Sequence, residues 1–397
     1  MEVEKLMENL DKLLHELYPE LVAFRRDLHM HPEISHQEVQ TPQKIADYLE
    51  DLGIEVRRSV GGRGVVGTLK GGKPGKTIAL RADFDALPIQ DEKEVTYKST
   101  IPGAMHACGH DLHTAALLGV ANVLSKFREE IPGNVVFIHQ FAEESTPGGA
   151  KPMIEDGCLE DVDVIYGAHV MSTDPLGTFS VKEGFASSAQ DDFKIVIRGK
   201  GGHGSEPHLA IDPLVTGSQL VVNLQQIVSR RVNPQQAAAV TVGSFVSGEA
   251  TNVIPDTAVI KGTVRTYDEE ARSIIEQAMK HITKSTCEAA GTTFEFEYVK
   301  DCPSIWNDPG LTKHVEEIVI DTFGSDYPIK HTPMMGSEDF SFYQKEIPGV
   351  YFTVGGGNPE LNAVYPHHHP KFDVDERAML DIGRIFIRLV LQNTRNK

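Results

Sequence analysis

The chain has 397 residues, 40% hydrophobic and 24% charged, a composition that supports a full-sized globular core; at roughly 100–200 residues per domain it predicts two domains. A formal net charge of −19 repels phosphate, so neither a nucleic-acid partner nor an anionic membrane surface is expected. No run approaches the roughly 18 apolar residues that span a bilayer.

At the amino terminus, Leu6, Leu10, Leu13, Leu14, Leu17 and Leu21 recur at helical spacing and predict an amphipathic surface helix. Acids interrupt its apolar stripe, unlike a signal peptide. Cys108, Cys158, Cys287 and Cys302 are far apart and form no disulfide framework, so a reducing, cytoplasmic setting is expected.

Further along, residues 77–80, 135–141 and 162–166 read as strands. Between the first two, Leu117, Leu118, Val120, Ala121, Leu124 and Phe127 mark the apolar face of a helix. Alternating strand and helix predicts a mainly parallel sheet with helices on both faces. Each apolar run passes into polar residues: the first into Asp83 and Asp85, the second into Glu143 and Glu144, the third into His169. Open α/β sheets bind ligands beyond the carboxyl ends of their strands, so three runs aim acids or a histidine at one region.

From about residue 186 the pattern changes to β-α-β-β-α-β, with helices over 212–229 and 269–290. This order predicts a ferredoxin-like domain, residues 186–300, inserted into an α/β domain of residues 1–185 and 301–397. The stretch PGVYFTVGGG, residues 348–357, predicts a buried strand with a tight glycine turn.

The segment HACGHDLHTA, residues 106–115, combines metal-ligand residue types. Borderline metals take thiolate, imidazole and carboxylate ligands. Cys108 and His110 flank Gly109, and in extended backbone two side chains at that spacing face one ion. Asp111 is a candidate partner for a ligating imidazole. Read alone, the segment is equally a surface loop, a helix N-cap and a buried structural cysteine. Glu144, His169 and one histidine of the run His367, His368 and His369 extend the set to five ligands, too many for a closed four-ligand zinc site. Five suit two metal ions, with Cys108 a candidate bridge.

Nine segments occur in order over nearly the whole chain: RRDLHMHPE, LRADFDALP, MHACGHDLH, AEES, GAHV, GKGGHGSEPH, TNVIPDTAVIKGTVRT, GSEDFSFY and HHHPKFDVDE. Together they resemble the amidohydrolase branch of the aminoacylase and carboxypeptidase metallopeptidase family. That branch includes hippurate hydrolases, N-acetyl-diaminopimelate deacetylases and plant indole-acetyl-amino-acid hydrolases. The resemblance implies a catalytic domain around two divalent metal ions, zinc or manganese first and cobalt or nickel as alternatives. It also implies that the inserted domain is a lid through which the chain forms a homodimer or higher homo-oligomer.

Carried over position by position, Cys108, His110, Glu144 and His169 match metal ligands and Glu143 the general base. His368 matches the late ligand, with His369 the second choice. Asp83 matches a support for the base or ligands, His203 a residue reaching the partner subunit's site, and Asn252 and Arg265 positions that hold a substrate carboxylate. The implied activity is hydrolysis of N-acyl amino acids. A dipeptidase or carboxypeptidase on the same metals, a non-catalytic ligand-binding protein on this scaffold, and a cysteine-nucleophile hydrolase are the alternatives; the last leaves the two glutamates unexplained.

Overall fold

The computed structural model describes residues 2–334 and 336–392. The chain opens with α1 (Glu2–Met30), α2 (Gln40–Asp51), the hairpin β1 (Glu55–Val60) and β2 (Gly64–Lys70), and β3 (Ile78–Asp83). It continues through α3 (His110–Ser125), β4 (Asn134–Gln140), α4 (Ala150–Glu155), β5 (Val164–Pro175), β6 (Phe179–Ser180) and β7 (Gly184–Phe185). Next come β8 (Ala189–Arg198), β9 (Gly202–His203), α5 (Pro213–Leu224), α6 (Gln226–Arg230), β10 (Ala238–Val246), β11 (Val253–Ile254), β12 (Thr257–Thr266), α7 (Glu269–Ala290) and β13 (Thr293–Lys300). The last elements are β14 (Trp306–Asn307), α8 (Pro309–Phe323), β15 (Ile329–Lys330), α9 (Phe340–Glu346), β16 (Gly349–Gly357) and α10 (Ala378–Gln392). Among the described residues no helix is long and apolar enough to cross a membrane.

These elements form two compact units. One comprises the chain up to Ala186, Trp306–Pro333 and the chain from Asp339; the other comprises Ser187–Ile305 and Met334–Glu338. The short segment Met334–Glu338, assigned to the first domain on sequence, therefore clusters with the second unit.

The first unit is built on an eight-stranded sheet of order β1-β2-β4-β3-β5-β16-β6-β15. Its centre, β4-β3-β5-β16, is parallel, whereas the β1–β2 hairpin, the β2–β4 junction and β6 beside β16 are antiparallel. The parallel pairing expected from sequence thus holds at the core and between β6 and β15 at one edge, and fails at the β1–β2, β2–β4 and β16–β6 junctions. Every residue of β3 is buried, because both faces of a central parallel strand are covered. His169 does not lie beyond the end of its strand, as the apolar run implied. β16 pairs with β5 through Thr353↔His169, Val354↔Val170 and Gly355↔Met171, so hydrogen bonding carries the strand past the histidine.

Helix α3 is buried along its whole length from His110 to Leu124 and packs against α1 and α10. Its apolar residues surround the axis, as a helix within a core requires. Gly119 allows the approach of α1: a Cβ there would meet Leu21 Cδ1 at 2.5 Å.

In the second unit, chain order β8-α5-β10-β12-α7-β13 folds into an antiparallel sheet of order β10-β12-β8-β13. β8 alternates buried and more exposed residues, sending Phe193, Ile195 and Ile197 into a core shared with Leu220, Ile260, Ile275 and Met279. Helix α7 starts where the Asp268 side chain accepts from Ala271 N–H and stops at Gly291, φ 72°.

Candidate active site

The carboxyl ends of the parallel strands supply one side of the site. β3 ends at Asp83, opposite Gln140 at the end of β4. Two residues beyond β3 comes Asp85, and beyond β4 the chain turns through Ala142, φ 49°, into Glu143 and Glu144. Facing them is the amino end of α3. Gly109 occupies its N-cap at φ 97°, a conformation glycine adopts without Cβ strain, and this sharp turn sets Cys108 and His110 on either side.

Cys108 Sγ lies 3.4 Å from His169 Nε2. His169 directs Nε2 there because its Nδ1 donates to the Val170 carbonyl at 2.8 Å. His110 Nδ1 is held by the Asp85 carbonyl at 3.0 Å and by Asp85 Oδ1 at 3.2 Å. Its Nε2 is buried without a hydrogen-bond partner, 3.8 Å from Asp83 Oδ2, 3.8 Å from Glu144 Oε1 and 3.9 Å from Glu143 Oε2. A buried imidazole nitrogen facing carboxylates without a hydrogen bond is an arrangement that fits a cation ligand. His368 Nε2 donates to Glu144 Oε1 at 3.2 Å.

Potential ligand atoms within 4.8 Å of one another group as Cys108, His110 and Glu144, and as Cys108, His169 and His367. Cys108 is common to both, so the donor set fits two neighbouring cations sharing a thiolate. His113 also lies near His110 and His169, but both its nitrogens are engaged: Nδ1 with Asp83 Oδ1 at 2.7 Å, and Nε2 accepting from Val170 N–H at 2.9 Å.

The electrostatics match a cation site. Burial pushes the Cys108 thiol well above its usual range, and the neighbouring Glu144 and Glu143 add to this. Burial by itself would lower His110, yet Asp83, Asp85 and Glu144 raise it to about 10. Burial drives His169 well down, reinforced by His113 and His367. Negative charge gathered in a buried cleft is costly unless a cation compensates it.

Not every expected residue joins this cluster. Asp111 is turned away from the imidazoles of the site: its Oδ2 lies 2.7 Å from His29 Nδ1 and 2.8 Å from Arg25 Nε. The carboxylate that orients His110 is instead Asp85, visible on sequence at a strand end but without an assigned role. Asp83 bridges Arg81, at 2.6 Å, and His113. His369 stacks on Tyr365, with ring centroids 4.6 Å apart, and accepts from Lys371 N–H. His367 was passed over on sequence; it packs on His169 and donates from Nε2 to the Val170 carbonyl at 2.9 Å. Within a run of three histidines only backbone register separates their directions, and His368 sits at φ 64°.

His203, Asn252 and Arg265 belong to the second unit. His203 pairs with Val253 across the β9–β11 ribbon, is exposed, and takes hydrogen bonds on Nδ1 from Ser205. The Asn252 carbonyl accepts from Gly204 N–H beside it. Arg265 lies on β12 opposite Gln190 and bonds to its side-chain oxygen.

Comparison with known proteins agrees with this geometry. A model of peptidase family M20/M25/M40 matches residues 79–392. Thermostable carboxypeptidase 2 of Saccharolobus solfataricus is 40% identical over 397 residues, covering 99% of this chain and 100% of the relative. N-acetylcysteine deacetylase of Bacillus subtilis is 39% identical over 382 residues, 96% of this chain and 98% of the relative. Among solved structures, the Bacillus subtilis YXEP protein, described as a dinuclear metal-binding peptidase, superposes with a TM-score of 0.84 at 36% identity, covering 96% of this chain and 100% of that one. With the family model spanning most of its length and relatives aligned end to end, the chain belongs to peptidase family M20/M25/M40.

Proposed function

We propose that the protein is a metal-dependent amidohydrolase that splits N-acyl amino acids into a carboxylic acid and a free amino acid. The observation that carries this reading is the unpartnered Nε2 of buried His110, ringed by Cys108, Glu143, Glu144 and Asp83. Cys108, His110, Glu144, His169 and His368 are assigned as ligands of two divalent ions, zinc or manganese, with cobalt and nickel compatible. His368 is preferred to His367 because its Nε2 faces Glu144 Oε1, whereas His367 Nε2 is engaged by the Val170 carbonyl. Such ions supply a water of lowered pKa and polarise the scissile carbonyl. Glu143 is the general base: it takes the water's proton and returns a proton to the departing nitrogen. Asp85 and Asp83 orient His110 and His113, which keeps the donor set in place.

The second unit is assigned as a ferredoxin-like lid and dimerisation domain. Its sheet order and its exposed Val215, Val222 and Val246 support that role. Arg265 and Asn252 are assigned to the substrate carboxylate, which an arginine grips through two parallel hydrogen bonds. His203 is assigned to the oxyanion that forms as the amide is attacked.

The 40% identity to a carboxypeptidase favours a second reading, in which the acyl side is itself an amino acid. A panel of N-acetyl and N-benzoyl amino acids set against dipeptides, on zinc- or manganese-reconstituted protein, separates the two. Faster turnover of N-acyl amino acids is expected. Turnover confined to dipeptides overturns the first reading, and no hydrolysis of either class overturns both.

A further inference from the structure

The turn carrying Glu143 and Glu144 is not held by its own sequence. Ala142 sits at φ 49° and is fully buried. A left-handed residue other than glycine crowds its Cβ against the next carbonyl and persists only where its surroundings fix it. Here both peptide groups are fixed. Gly149 N–H donates to the Ala142 carbonyl at 3.1 Å, and Ala142 N–H donates to Glu38 Oε1 at 2.9 Å.

Glu38 comes from the loop between α1 and α2, far from Ala142 in sequence. That loop follows the site closely. Ile34 bridges to Ala86, Ser35 Oγ donates to Asp85 Oδ2 at 2.7 Å, and His36 Nε2 donates to the Pro147 carbonyl at 3.0 Å. The Glu38 side chain is fully buried and its Oε2 has no hydrogen bond, with Arg63 Nε 3.9 Å away. A buried carboxylate with one oxygen unsatisfied is costly. Backbone groups of Glu38 and His36 also reach this carboxylate, but the contact that leaves its own loop is the one Oε1 makes to Ala142 N–H, the residue preceding Glu143.

We propose that Glu38 is a positioning residue, whose carboxylate pins Ala142 N–H and so fixes the left-handed turn that aims Glu143 and Glu144 at His110. Burial, which pushes the Glu38 carboxyl up to about 7, agrees with an acid kept for its geometry. The proposal rests on the amidohydrolase reading for its kinetic consequence and on the ligand role of Glu144 for its metal consequence.

The test measures kcat, KM and zinc affinity for wild type, Glu38→Ala, Glu38→Gln, Ala142→Gly and Glu38→Ala combined with Ala142→Gly. Glu38→Ala is expected to lower kcat about 100-fold with KM nearly unchanged, the cost of misplacing a base by about 1 Å. It is also expected to weaken zinc binding by about tenfold, as loss of a group that orients a ligand does. Glu38→Gln keeps a carbonyl acceptor of the same reach and is expected to restore both values. Glycine at 142 adopts the turn without Cβ crowding, so the loss caused by Glu38→Ala should shrink in that background.

Wild-type kcat and zinc affinity in folded Glu38→Ala overturn the proposal, as does Glu38→Gln behaving like Glu38→Ala. If Glu38→Ala does not fold, the glutamine variant and the double variant decide. Wild type without hydrolysis refutes the amidohydrolase reading instead, and the zinc measurements still judge Glu38.

Discussion

Gly109→Ala is the most economical perturbation of the site, because it adds one methyl group between two candidate ligands without touching either. Two costs follow from the structure. At φ 97° an L-residue is strained, by roughly 1–2 kcal/mol. The new Cβ would also stand 2.5 Å from Val170 Cγ1, and such overpacking costs about 1–3 kcal/mol. The sum, about 2–5 kcal/mol, is a large share of the roughly 5–15 kcal/mol that stabilises a domain. Val170 cannot yield freely, since its N–H donates to His113 and its carbonyl accepts from His169 and His367. Displacing it moves three imidazoles together. Gly62→Ala is the control: φ is 115° and a Cβ there meets nothing within 4 Å, so it carries strain without the clash. Scanning fluorimetry and zinc titration on both variants should show Gly109→Ala melting several degrees below Gly62→Ala and binding zinc more weakly. Equal melting, with zinc affinity at the wild-type value, would refute the reasoning.

Arg25→Ala strips the cation from a buried cluster in which the guanidinium lies 2.8 Å from Asp111, 3.1 Å from Asp373 and 3.3 Å from Glu376. The Asp111 contact is an ion pair without hydrogen-bond alignment. Asp373 keeps Lys93 and Glu376 keeps Arg26, but Asp111 is left with His29 as its ion-pair partner. Removing one partner of this buried cluster should cost about 3–5 kcal/mol by denaturant melts, and a loss under 1 kcal/mol would contradict the account. Asp381, near Tyr327 and Arg384, has its carboxyl raised by burial from 3.8 to about 6. The folded chain therefore keeps a proton there that the unfolded chain releases near pH 4. That stabilisation is complete at lower pH and is lost as pH rises through 6. Asp381→Asn should then be more stable than wild type at pH 7.5 by about 1–2 kcal/mol, discounted for partial exposure, and gain nothing at pH 4. A pH-independent difference in melting temperature would show the shift to be absent.

What could be read from sequence follows from physical range. β3, β4, α7 and β16 were legible because an apolar run or a 3.6-residue period is a local signal. The four ligand candidates before the insertion were legible because apolar runs turn polar at the cleft, and a Cys-Gly-His turn joins them. The β1–β2 hairpin escaped notice because β1 is an edge strand with mostly exposed residues, EVRRSV, and lacks an apolar run. The partner of Asp111 was misread for a different reason: Arg25 and His29 approach it from α1, far away in the chain, and spacing cannot report such a meeting. The same holds for Glu38 and Ala142. His169 was placed at a strand end because apolar residues stop there, whereas pairing with β16 carries the strand onward.

The central claim is that Glu143 moves protons while its neighbours hold the ions. Metal content and hydrolysis measured side by side in Glu143→Gln test it most directly. The account predicts wild-type metal stoichiometry with N-acyl amino acid hydrolysis lowered by about 100-fold or more. Near-wild-type hydrolysis by that variant, with metal bound, would contradict it.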